Sequence, residues 1–170
     1  MVRYILDIFE GSYEELKLNN EVICSISRTP IHLTDIGKRK VTIKVDAQNE
    51  YICEYDIDIT IQPGQEHCVV DALGIEIAKS AIDINFEEFL LFRGEKFHIE
   101  KDRNENTISF FNGDEVFGVI KNYPHYHSVI ESGNYNEECE IFINETKLKA
   151  ENQKLFSYII AAYPSFRISW

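Results

Sequence analysis

Two acids and two histidines are the residues whose types and spacing best suit chemistry. Asp56 and Asp58 alternate with Ile57 and Ile59, and in an extended chain residues two apart project to the same face. Like charges on one face repel, so such a strand gains from a cation or a basic partner. Pro124-His125-Tyr126-His127 sets two imidazoles at the same spacing. His125 and His127 would need at least a third ligand to hold a metal. Glu131, Cys139 and the Glu66-His67-Cys68 group are the candidates, none at a diagnostic spacing, and a pair of surface histidines after a proline turn is the simpler account. Cys68 beside His67 suggests a thiol nucleophile with its base, but neighbours on a strand or helix point apart. The chain has no G-x-S-x-G, no glycine-rich phosphate cradle and no G-x-G-x-x-G. For an enzyme this is a thin inventory, and no cofactor is expected.

Asp56-Ile57-Asp58-Ile59-Thr60 resembles the D-x-D-x-T motif of the haloacid-dehalogenase-like phosphatases. That resemblance implies a nucleophile at Asp56 and a general acid at Asp58, in a loop after a parallel strand. Here the run lies inside an alternating segment that continues to Ile61, and the family's later lysine and paired acids have no counterpart. A solvated strand face carrying two acids is the favoured account.

The acids are the stronger feature. Against 29 Asp plus Glu the 170 residues hold 17 Lys plus Arg, for a formal net charge of −12. A nucleic-acid binder must neutralise phosphates with Lys and Arg, so that class is disfavoured. Docking on anionic membrane surfaces is disfavoured for the same reason. The excess suits solubility by self-repulsion, or steering toward a basic protein. Glu14-Glu15, Asp56/Asp58, Glu87-Glu88 and Glu137-Glu138-Cys139-Glu140 are spread along the chain rather than massed in a tail. The expected partner-binding surface comprises Asp56, Asp58, Glu137, Glu138 and Glu140, with Tyr123, Tyr126 and Tyr135 as aromatic anchors. An ordinary solvated acidic surface is the alternative.

Cys24, Cys53, Cys68 and Cys139 form no C-x-x-C and read as buried free thiols. Asp7 interrupts the apolar run that a signal peptide would need, so a cytoplasmic protein is expected.

The elements that must position these residues are mostly short strands. Alternating segments run over Val2–Phe9, Glu21–Ser27, Val41–Asp46, Tyr51–Ile61, Lys96–Glu100, Thr107–Phe111, Glu115–Lys121, Tyr126–Glu131 and Glu138–Ile143. Tyr13–Leu18 and Phe86–Phe92 fit either a strand or a helical turn, and Arg28–Lys40 reads as a loop. Asn112-Gly113 is a hairpin signal, because both residues tolerate positive φ. Val70, Leu73 and Ile77 keep helical spacing, predicting a helix near Val69–Ala81, although Gly74 weakens it by about 1 kcal/mol relative to Ala. Leu148–Tyr163 is the clearest helix: Leu148, Leu155, Ile159 and Ala162 share a face, while Phe156, Ile160 and Tyr163 add a second stripe. Asn144 or Thr146 would cap its start and Pro164 would end it. Its second half is apolar nearly all round, as buried helices are.

The predicted fold is a single α+β domain over residues 1–170. It is a mainly antiparallel, curved or barrel-like sheet packed on the C-terminal helix, with one further helix mid-chain. In outline, strands followed by an apolar terminal helix look like the tubby and phospholipid-scramblase-like barrels. The leading functional expectation is a non-enzymatic acidic binding module, of inhibitor, immunity or antitoxin type, that occludes a basic partner such as a toxin nuclease. The alternatives are a small-ligand or lipid-binding barrel, which a helix-filled interior would remove, and a metal-dependent hydrolase.

Overall fold

The computed structural model describes residues 1–9, 13–29, 37–56, 60–123 and 136–168. The strands are β1 (Val2–Phe9), β2 (Tyr13–Leu18), β3 (Glu21–Arg28), β4 (Lys38–Lys44), β5 (Glu50–Asp56), β6 (Glu66–Val70), β7 (Glu76–Ile82), β8 (Glu88–Phe92), β9 (Glu95–Asp102), β10 (Thr107–Asn112), β11 (Glu115–Lys121) and β12 (Asn136–Ile143). A 3₁₀ turn, Glu145–Lys147, leads to one helix, α1 (Ala150–Phe166). Each strand pairs antiparallel with its neighbour in sequence, and β1 pairs with β12, so the sheet closes into a barrel. Closure removes the unpaired edges of an open sheet. Burial alternates along the strands, as in β1, where Tyr4, Leu6 and Ile8 face inward and Arg3, Ile5 and Asp7 outward.

A barrel of about eight strands is filled by its own side chains, and wider barrels need something else in the lumen. Here that filler is α1. Every residue from Leu155 to Phe166 is buried, and the helix touches β3, β4, β7, β11 and β12, strands from opposite sides of the closed order. Phe156 packs between Phe92 and Phe97 at ring-centroid distances of 5.2 and 5.0 Å, and Tyr163 meets Phe110 edge-on at 5.0 Å. At Gly118 of β11 a methyl would sit 3.4 Å from Ile143 Cδ1 and 3.6 Å from Ile160 Cγ1, in ordinary contact with β12 and the helix. The helix enters beside the paired ends of β1 and β12 and leaves beside the end of β5 and the start of β6. These are called the entry and exit ends. Among the described residues no helix is long and apolar enough to cross a membrane.

Three expectations are corrected. The mid-chain helix near Val69–Ala81 is two strands, β6 and β7, joined by a turn. Asp71 builds that turn by accepting the Leu73 and Ile75 amides at 2.9 Å, and Gly74 takes φ of 78°. Leu73, which supplied the helical spacing, is 84 % exposed at the tip. Side-chain capping by an acidic turn residue outcompeted an ambiguous apolar period. Second, Pro164 does not end α1, which continues to Phe166 and closes with the Arg167 amide on the Tyr163 carbonyl at 2.9 Å. The proline removes one ladder hydrogen bond, a loss offset by burying Phe166 in the lumen. Third, neither Asn144 nor Thr146 caps α1, whose N-cap is Lys149 with no side-chain cap; they belong to the preceding 3₁₀ turn.

Smaller differences follow from register. Lys38-Arg39-Lys40, expected in a loop, opens β4, with Arg39 opposite Tyr55. Tyr13–Leu18 and most of Phe86–Phe92 are strands, and the hairpin expected at Asn112-Gly113 joins β10 to β11. The strand expected over Tyr126–Glu131, and residues 57–59 of the one expected over Tyr51–Ile61, lie outside the described residues.

Candidate functional site

Closure places β1 between β2 and β12 and brings together acids far apart in the chain. Asp7 stands directly opposite Glu138 on one side and Glu15 on the other, all on the outward face. Direct cross-strand neighbours have Cβ atoms about 5 Å apart, and like charges so placed destabilise the sheet. Lys17 relieves part of this, and Arg3 answers a further acid of the face. Lys17 donates to Asp7 Oδ2, and that hydrogen bond raises the Lys17 pKa against slight desolvation, with the charges of Asp7, Glu15 and Glu138 adding to it. Arg3 pairs with Glu140 at 2.7 Å. One row further toward the exit end, Phe9 opposes Tyr13 with ring centroids 5.8 Å apart, and the Tyr13 hydroxyl donates to Glu15 Oε1 at 3.1 Å. The face therefore offers carboxylates in a straight row beneath an aromatic pair. Its chemistry is acceptance of N–H donors, with rings beside them for the apolar stem or plane of a Lys or Arg side chain.

Of the residues predicted from sequence, Glu138 and Glu140 lie on this face. Glu137 shares the inward side of β12 with its partner Ile8. Asp56 ends β5, exposed, elsewhere on the barrel. Tyr123 is tied into an interior network rather than presented as an anchor: its hydroxyl donates to Glu14 Oε1 at 3.0 Å and accepts from Arg28 Nη1 at 3.4 Å. Asp58, Tyr126, Tyr135, His125 and His127 lie outside the described residues. Among the described residues no three His, Cys, Asp or Glu side chains converge to hold a metal. Cys68 and His67 occupy adjacent positions of β6, His67 facing inward. Sequence reasoning missed Asp7, and it named Glu15 only among the dispersed acids, not in the partner-binding set. Both sit at the polar positions of alternating strands, but only the pairing register shows that they adjoin Glu138.

The exit end has a second set of charges, turned inward. Glu14, fully buried, accepts Arg28 Nη2 at 2.7 Å; burial pushes its carboxyl up against the pull of Arg28. Glu88 accepts Ser80 Oγ at 2.5 Å, Lys101 Nζ at 2.8 Å and the Ile168 amide at 2.8 Å. Burial lowers the Lys101 pKa, and Glu88 opposes that shift. Tyr55 donates to the Ser165 carbonyl at 2.8 Å. The carbonyls of a helix's last turn lack intrahelical partners, and the Tyr55 hydroxyl supplies one to Ser165.

No protein-family model, curated protein or solved structure matches the chain.

Proposed function

We propose that this protein is a non-enzymatic binding module that presents its acidic β12–β1–β2 face to a basic protein. An inhibitor or immunity-type protein that occludes a cationic partner, such as a toxin nuclease, is the form we favour. The observation that carries the reading is the row Glu138–Asp7–Glu15, set in register across three strands beneath Phe9 and Tyr13. Folding gains nothing from three acids in a row, whereas a basic partner gains both steering and contact from them. A small ligand held inside the barrel is disfavoured, because α1 occupies the lumen.

The test is association kinetics with purified basic nuclease domains at low and high salt. Glu15→Gln with Glu138→Gln is expected to slow association about tenfold at low salt while leaving the melting temperature unchanged or higher. An association rate indifferent to salt and to these substitutions would remove the reading.

A further inference from the structure

Buried polar atoms without partners gather in one place. Among the described residues, Glu14 Oε2, Arg28 Nε, Arg39 Nε and Ser165 Oγ are buried with no hydrogen-bond partner, and all four belong to the exit end of the lumen. Strand alternation puts them there. Glu14 shares the inward side of β2 with Leu16, Arg28 that of β3 with Cys24 and Ile26, and Arg39 that of β4 with Val41 and Ile43. Contacts tie the group together. Arg28 donates to Glu14 Oε1 at 2.7 Å and to the Tyr123 hydroxyl at 3.4 Å. Arg39 hydrogen-bonds Tyr55 and pulls on the charge of Glu14, and the Tyr55 hydroxyl donates to the Ser165 carbonyl at 2.8 Å. Native interiors leave few buried polar groups unpaired, and each one asks for a reason.

Charge gives the reason a direction. Glu88 is engaged by Lys101 at 2.8 Å, and Glu14 by Arg28 at 2.7 Å. Inward Glu137 stands on β12, separated from β4 by β1, β2 and β3 in the closed order. Among the described residues no carboxylate forms an ion pair with Arg39, which faces Tyr55. Arg167, just after α1, adds its own charge beside Tyr55 and Tyr123. A guanidinium drawn into the lumen without a counter-ion is costly. The outer surface is acidic, but this interior corner is short of negative charge.

We infer that the exit end holds a binding site for inorganic phosphate, which accepts from Arg28 Nε and Arg39 Nε and donates its own P–OH to Glu14 Oε2. Guanidinium N–H groups suit phosphate oxygens in charge and geometry. A carboxylate oxygen only accepts, so the ligand must bring a proton. Hydrogenphosphate brings one and sulfate does not. Buried water would satisfy the same atoms one by one but would leave the charge of Arg39 unanswered. The Arg28 side chain is 13 % exposed, which favours a free ion over a phosphate carried on a lipid or a protein. Bound there, the ion would join β2, β3 and β4 beside the end of the lumen helix. Because these side chains point inward, the site is separate from the outward Glu138–Asp7–Glu15 face, and either can fail without the other.

The probe is inorganic phosphate, titrated into the intact protein during thermal melts, with sulfate at matched ionic strength beside it. A ligand of the folded state at about a hundred times its dissociation constant raises the melting temperature by about 5 to 10 °C in a chain of this size. A saturable rise of that order is expected with phosphate and not with sulfate. Both ions stabilise proteins weakly by exclusion from the surface, so an equal, unsaturating effect overturns the inference. Arg39→Gln is expected to abolish the phosphate-dependent rise. A merely structural Arg39 would lower the melt and leave that rise intact, which also overturns it. Calorimetric titration of the unaltered protein gives a reading that needs no variant: no saturable heat with phosphate means that water fills the site. A larger rise with glycerol 3-phosphate than with inorganic phosphate would overturn the assignment to the free ion. Glu15→Gln with Glu138→Gln is expected to leave the phosphate response unchanged.

Discussion

His67 Nδ1 lies 2.7 Å from the carbonyl oxygen of Phe166, tying the first inward residue of β6 to the last turn of the lumen helix. A carbonyl only accepts, so the shared proton sits on Nδ1 and the neutral ring already serves. Burial lowers the His67 pKa below the ordinary 6.5, partly countered by that hydrogen bond and by Glu88. The unfolded chain then binds the proton more readily than the folded one. Stability contributed by neutral His67 is thus present above 6.5 and lost as pH falls below it, each tenfold difference in proton affinity being worth about 1.4 kcal/mol. Thermal melts are expected to drop as pH falls below about 6.5, and His67→Gln should flatten the profile there.

Glu88 is the latch between the barrel and the residues after α1. Glu88→Gln keeps the shape but removes the charge beside Lys101, whose side chain is mostly buried. Breaking such a pair costs about 3 kcal/mol or more. Chemical denaturation should show that loss, and hydrogen exchange at the Ile168 amide, which donates to Glu88, should speed up.

Gly118 tests the fit between β11 and the helix. A methyl would make ordinary contact with Ile143 and Ile160, so Gly118→Ala is expected to be nearly neutral. Gly118→Leu would drive side-chain atoms into the filled lumen, at about 1 to 3 kcal/mol. Ile160→Ala, which opens a cavity at the same contact, is expected to cost about 2 to 5 kcal/mol in denaturation.

The thiols provide a chemical test. Burial pushes Cys24 and Cys53 up to about 12 and Cys68 up to about 11. Cys68 is half-buried, while Cys24, Cys53 and Cys139 are buried. Iodoacetamide is expected to label Cys68 first, slowly at neutral pH, at a rate rising about tenfold per pH unit, because only the thiolate reacts. Fast labelling at neutral pH would reveal an activated thiol instead.

Local patterning made much of the fold legible. Period-two alternation marked most strands, Asn112-Gly113 marked a hairpin, and the apolar run from Leu155 to Tyr163 marked a helix that had to be covered. Where local signals compete, reading failed. Val70, Leu73 and Ile77 fit a helical period over a segment too short to exclude two strands, and Asp71 decided the matter by capping a turn. Pro164 looked terminal because intrinsic helix preference says nothing of a lumen that rewards three more buried residues.

The sequence by itself determined the acidity, the strand-rich composition and one helix too apolar for any surface. Only the tertiary structure decided that the sheet closes, that the helix fills it, and that Asp7 adjoins both Glu15 and Glu138. Burial preference is a property of each residue and survives in a linear reading. Closure and the adjacency of Asp7 to Glu138 depend on pairing register between segments more than a hundred residues apart, and no local period encodes that.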